Sequence, residues 1–142
     1  MPLSNDADFW VQIEGVIETM DPALKLGFAL YSEDGQQLFR SYQTDVSPER
    51  WPRLQKGNCV LRGKIPRRFL NEGVYRIELL ALLHNRTWLL EPGANAPGIF
   101  LTIQGGLSDS PLWMVKRPGL IAPELGWTNI EPRQEKKSAG NS

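Results

Sequence analysis

The sequence predicts an all-β protein, an antiparallel β-sandwich of the immunoglobulin-like or jelly-roll type with about seven to nine short strands. Three observations predict it. Apolar and polar residues alternate at a period of two in segment after segment, turn residues separate those segments, and hardly any stretch carries the period of an amphipathic helix. A chain of 142 residues has the usual size of one domain, enough to bury a core.

Each strand has its own signal. Phe9, Val11, Ile13 and Ile17 fall on one face of the first, with Trp10, Gln12 and Glu14 on the other. Over 24–30, Leu24, Leu26, Phe28 and Leu30 point inward and Lys25, Gly27 and Ala29 outward. Glu33-Asp34-Gly35 then turns the chain into a hairpin partner over 36–42, glycine entering positive φ freely. The stretch 47–56 carries prolines and charges and reads as an exposed loop with at most one helical turn. In 58–65, Cys59, Leu61, Gly63 and Ile65 alternate with Asn58, Val60, Arg62 and Lys64, and Pro66 ends the ladder. Residues 66–70 can make one helical turn, after which Asn71-Glu72-Gly73 reverses the chain into 74–83. There Tyr75, Ile77, Leu79, Ala81 and Leu83 share a face, and Tyr75 can fill the core while its hydroxyl finds a backbone partner. Leu80 and Leu82 make the other face apolar too, so the far end of this strand needs cover on both sides, from another segment or a partner chain. Segments 87–90 and 98–104 complete the set.

Beyond Gly105-Gly106 the periodicity stops, yet Leu112, Trp113, Met114, Val115, Leu120, Ile121, Leu125 and Trp127 are too apolar for a free tail and should dock. The expected organisation is a flexible 1–8, a sandwich domain over 9–128 and a disordered tail over 129–142.

Composition narrows the function classes. The 16 basic and 16 acidic residues cancel, and no aromatic motif is interleaved with basic strands, which argues against nucleic acid. The stretch 50–68 is locally basic, with Arg50, Arg53, Lys56, Arg62, Lys64, Arg67 and Arg68 and no acid, either a solvated face or a docking place for phosphate or uronate groups. Lone Cys59 excludes an internal disulfide, and no stretch has signal-peptide or membrane-spanning length, so a cytoplasmic location is expected.

Searches for catalysis find nothing built for it. Gly57-Asn58-Cys59-Val60-Leu61-Arg62-Gly63-Lys64-Ile65 has one residue too many for a phosphate loop, no Ser or Thr after the lysine, and lies in a strand that spends its N–H groups on the ladder. One histidine, His84, and one cysteine cannot build a Cys/His metal cluster, and inward Cys59 reads as an inert core thiol. Only Glu14, Glu78 and Glu91 could supply glycosidase carboxylates, and nothing local brings them together. No cofactor, metal or catalytic residue is expected.

Three stretches resemble a known family: LKLGFALYSEDGQQLF at 24–39, IPRRFLNEGVYRIEL at 65–79 and SPLWMVKRPGLIAPELGW at 110–127. In that order they are similar to the carboxy-terminal O-antigen-binding domain of Wzt-type ABC transporter ATPase subunits. The resemblance implies a non-catalytic β-sandwich that binds the exported polysaccharide on the cytoplasmic side, peripheral to the inner membrane. Its implied partners are the transporter ATPase and membrane subunits and a second copy, as a homodimer with exchanged strands. The ATPase domain of that family is missing from this sequence, so an excised carboxy-terminal domain is expected, with a free-standing relative as the alternative. A domain that only holds two ATPase subunits together is the alternative, with Leu80, Leu82, Trp113 and Leu120 as its apolar contacts. The matched residues themselves read as scaffold, so they support the fold more than the ligand.

A sugar offers apolar C–H faces fringed with hydroxyls, so its site wants an aromatic platform beside planar hydrogen-bonding groups. Trp88 with Arg76, Glu78, His84 and Asn85, and Tyr31 from the second strand, is the first candidate, although Trp88 could equally cover Leu80 and Leu82 as core. The outward row Trp10, Gln12 and Glu14 is the second, as a glycan or dimer surface, with Tyr31 beside it if the first two strands share a sheet. Trp113 and Trp127 read as latches for the tail, and Trp51 as a loop aromatic able to act as a lid.

Overall fold

Alternation becomes strand at seven places: β1 (Phe9–Ile17), β2 (Leu24–Ser32), β3 (Gln37–Tyr42), β4 (Gly57–Ile65), β5 (Gly73–Leu83), β6 (Thr87–Leu90) and β7 (Gly98–Ile103). These belong to a computed structural model that describes residues 2–130, so most of the tail expected to be disordered lies outside the described residues. The helical piece expected in the long connection is a single 3-10 turn, Pro48–Arg50.

The strands divide into two antiparallel layers. β1 and β4 pair alone, from Phe9 opposite Ile65 to Ile17 opposite Gly57. The other layer has five strands in the order β3-β2-β5-β6, with β7 sharing the β5 edge. β6 takes the end of β5 around Ala81–Leu83 and β7 the start from Gly73 to Glu78. Gly35, at φ 88°, makes the β2–β3 turn that the Asp-Gly pair predicts.

Between the layers, Val11 and Ile65 from the small one meet Phe28, Leu30, Tyr75, Ile77 and Ile103 from the large one. Fully burying each such side chain stabilises by roughly 1.5–3 kcal/mol relative to leaving it exposed. Phe28 lies edge-on to Phe39 with ring centroids 6.1 Å apart. Gly63 lets β4 settle on that pair, since a Cβ there would come within 3.2 Å of the Phe28 ring. The alternation of β4 is kept throughout: Asn58, Val60, Arg62 and Lys64 are exposed, while Cys59, Leu61 and Gly63 are half-buried and Ile65 buried.

Pairing and burial depart from the sequence reading on these faces. β1 and β2 do not share a sheet, so Trp10 and Tyr31 stand on different layers. Gly27 and Ala29 do face away from the core, yet both are buried, and the cover that Leu80 needs comes from its own chain. β2 and β5 are the middle strands of their layer, and long side chains from β3 and β6 cross over them.

Part of the segment before β1 is tied to the sandwich. Leu3 bridges Ile103 in parallel, its N–H donating to the Thr102 carbonyl at 2.7 Å, and Asn5 is fully buried, its carbonyl accepting the Arg68 N–H at 2.8 Å. A buried amide that satisfies distant backbone is structure, not fraying.

The apolar tail docks along its backbone from Arg117 to Glu124. Ala122 N–H donates to Phe69 O at 2.8 Å and Glu124 N–H to Arg68 O at 3.0 Å, beside an antiparallel bridge of Ile121 with Leu70. Around it, Leu112, Met114, Val115 and Leu125 stay exposed, and Trp127 is 91% exposed, so it latches nothing among the described residues.

Candidate functional site

Directly paired residues of neighbouring antiparallel strands share a face, so the registers place each side chain on the outer surface of the large layer. One row crosses it as Tyr31, Arg76 and Phe100. The next runs Arg40, Ala29, Glu78 and Gly98. Further along come Tyr42, Gly27 and Leu80, then Lys25, Leu82 and Trp88. Arg76, Glu78, Tyr31 and Trp88, four of the residues read from the sequence as sugar contacts, therefore lie on one surface.

Their charges are fixed in place. Arg76 Nε donates to Glu78 Oε2 at 2.5 Å, while the Gly93 N–H donates to Glu78 Oε1 at 2.7 Å. The Arg76 guanidinium holds the Glu78 carboxyl below its ordinary range, against the opposing effect of burial, so Glu78 is ionised at neutral pH. Arg76 keeps unused N–H groups, and its guanidinium lies 5.2 Å from the centre of the Phe100 ring. From the opposite edge Arg40 reaches across β2 and β5 to lie 5.5 Å from the Trp88 ring centre, its Nε donating to Gln37 Oε1 at 2.5 Å. Planar cations are thus set against aromatic rings on both sides of a strip whose backbone carries only Gly27, Ala29 and Gly98 at its narrowest. Such a surface offers donors to hydroxyls and ring faces to C–H groups.

Arg40 and Phe100 were not read from the sequence as site residues. Phe100 is 66% exposed at the polar-side position of β7 between Ile99 and Leu101, a placement the alternation alone could have exposed. Arg40 has no such signal, because only the pairing with Ala29 carries it onto this face.

The remaining candidates separate. Asn85 sits at φ 59° in the turn after β5, and Arg86 beside it pairs with Asp21. His84 turns away to line a cleft at the end of the sandwich with Lys25, Gln43 and Trp51. Trp10, Gln12 and Glu14 do share the outer face of the small layer, as expected, but Arg62 and Lys64 lie against the Trp10 ring at 4.9 and 5.9 Å from its centre. The Gln12 amide donates to the Glu14 carboxylate. Glu14 and Glu78 therefore stand on outward faces of opposite layers and cannot act on one glycosidic bond. No cluster of His, Cys, Asp and Glu able to hold a metal occurs among the described residues.

No protein-family model matches the chain, and no curated protein does. Among solved structures it is similar to one described as the crystal structure of the C-terminal domain of wzt, with a TM-score of 0.61. The sequences are 14% identical, over 91% of this chain and 74% of that one. The two packed antiparallel layers accordingly have the fold of the Wzt C-terminal domain, the fold to which the three sequence stretches point.

Proposed function

We propose that the chain is a non-catalytic carbohydrate-binding domain that recognises an exported polysaccharide, an O-antigen or related glycan, and couples it to an ABC exporter. The observation that carries this reading is the outer face of the large layer, where Arg40 and Arg76 are held against Trp88 and Phe100 beside ionised Glu78. An open face suits a polymer, which must enter and leave sideways. The likeness of fold to the Wzt C-terminal domain supports the exporter context, with ATPase and membrane subunits as partners on the cytoplasmic side. His84 and Asn85 stay in the proposal only as flanking contacts at the end of the face.

Calorimetric titration of the chain with the surface polysaccharide of its source organism tests the reading. Trp88→Ala and Arg76→Ala should each weaken binding at least about tenfold, the equivalent of roughly 1.4 kcal/mol. Heat that is absent with that polysaccharide, or unchanged in both variants, overturns it. Reducing ends accumulating over time would instead reveal a hydrolase.

A second reading, compatible with the first, is self-association through the tail, favoured by the exposure of Leu112, Met114, Val115 and Trp127. In it a second copy covers these side chains, with or without exchange of the segment that now bridges Leu70. Trp10, Gln12 and Glu14 would be a second glycan or dimer surface.

A further inference from the structure

At one end of the sandwich the β1–β2, β3–β4 and β5–β6 connections enclose a cleft of about 800 Å³, within the roughly 300–1,000 Å³ of small-molecule sites. It lies apart from the row of Tyr31, Arg76 and Phe100. Its walls are held from outside. The Trp51 indole N–H donates to Val46 O at 2.7 Å, which ties the edge of the ring and leaves a face for stacking. Gln43 clips the long connection to β2, accepting from the Leu26 N–H at 2.6 Å through its side chain, and the His84 N–H donates to Ala23 O at 2.7 Å. A site whose aromatic wall is already ordered loses little freedom on binding.

Charge selects the ligand. Lys25 and Arg53 line the cleft, and neither pairs with a carboxylate among the described residues, whereas Arg68, Arg76 and Arg86 all do; the Lys25 ammonium rests 4.3 Å from the centre of the Tyr42 ring, which leaves its charge unneutralised. Glu49 is the cleft's acid, and its carboxylate already accepts the Ser47 hydroxyl at 2.8 Å. We infer that this cleft is a second saccharide site, taking a sugar that bears an anionic substituent, its ring on Trp51 and its carboxylate or phosphate between Lys25 and Arg53. The inference rests on the proposed carbohydrate reading for the ligand being a sugar; the cleft borders the outer face at Lys25 and His84, but Trp51 and Arg53 belong to the cleft alone, so it can fail alone.

The test follows two indole N–H signals of the ¹⁵N-labelled chain, Trp51 for the cleft and Trp88 for the outer face. Glucuronic acid and glucose 1-phosphate should shift Trp51 and leave Trp88 in place, with glucose at least about tenfold weaker. Lys25→Gln with Arg53→Gln should abolish the preference for the charged sugars, and Trp51→Ala, followed by the Gln43 side-chain amide, should weaken both. Equal shifts with glucose, or inorganic phosphate binding as tightly as glucose 1-phosphate, overturn the inference. Silence at Trp51 together with a polysaccharide response at Trp88 would sink the cleft and spare the face, while the reverse would sink the face alone.

Discussion

Asn71 and Tyr75 hold the tail to the sandwich, and they do so with hydrogen bonds rather than apolar area. Asn71, 1% exposed, donates its side-chain amide to Arg117 O at 2.6 Å and Gly119 O at 2.7 Å, and accepts the Glu72 N–H at 2.9 Å. The Tyr75 hydroxyl lies 2.7 Å from Asn71 O and 3.0 Å from Leu120 O, and burial pushes its pKa up. Removing one hydroxyl forfeits a hydrogen bond of about 1 kcal/mol, whereas truncating a buried amide strands several partners at once. Tyr75→Phe should therefore lower unfolding stability by about 1 kcal/mol and Asn71→Ala by about 2–3 kcal/mol, read from urea midpoints. Equal losses, or an Asn71→Ala variant as stable as the parent, would refute this division. The role of Tyr75 was legible because an aromatic hydroxyl inside a strand must find a partner. Asn71 looked like a turn residue, since its partners lie 46 and 48 positions away and leave no local trace.

Strands were legible one by one, and their assembly was not. Period-two alternation is written into consecutive residues, so all seven strands and the turn at Gly35 appear close to their expected places. Which strands pair is decided by contacts between distant segments, and so β1 went to β4 rather than to β2. That one choice places Tyr31 beside Arg76 instead of Trp10 and brings Arg40 onto the candidate face. Two glycines separate the kinds of constraint within strands. A Cβ on Gly27 would lie 1.9 Å from the Ser41 carbonyl oxygen, which is backbone and cannot rotate away, while one on Gly15 would meet nothing within 4 Å. Gly27→Ala should cost at least about 3 kcal/mol by forcing β2 and β3 apart. Gly15→Ala in exposed β1 should change stability by less than about 1 kcal/mol, because no neighbour must move and the unfolded chain loses freedom. Comparing the two by thermal unfolding checks the claim, and similar midpoints would show that the β2–β3 approach is not a steric constraint.

At the scale of the molecule, the described chain leaves its apolar surface unevenly covered. The sandwich buries its own core, yet beyond Gly106 Leu112 is 92% and Met114 83% exposed, and among the described residues the backbone hydrogen bonds tying that segment to the sandwich run from Arg117 to Glu124. The composition of the tail made docking legible, but not whether the covering surface belongs to the same chain, because hydrophobicity is not directional. Covering such side chains with a second copy couples folding to association, and an associating native state gains stability with protein concentration by mass action. The proposed self-association therefore predicts that the urea midpoint rises over a hundredfold range of chain concentration. Leu112→Ser with Trp127→Ser should flatten that dependence while leaving the dilute-limit midpoint nearly unchanged, since neither side chain is buried within one chain. Sedimentation velocity on the same samples should show the parent moving from monomer towards dimer and the variant remaining monomeric. A midpoint that does not respond to concentration, in a parent that sediments as a monomer throughout, would mean that the exposed tail is matched by no second copy.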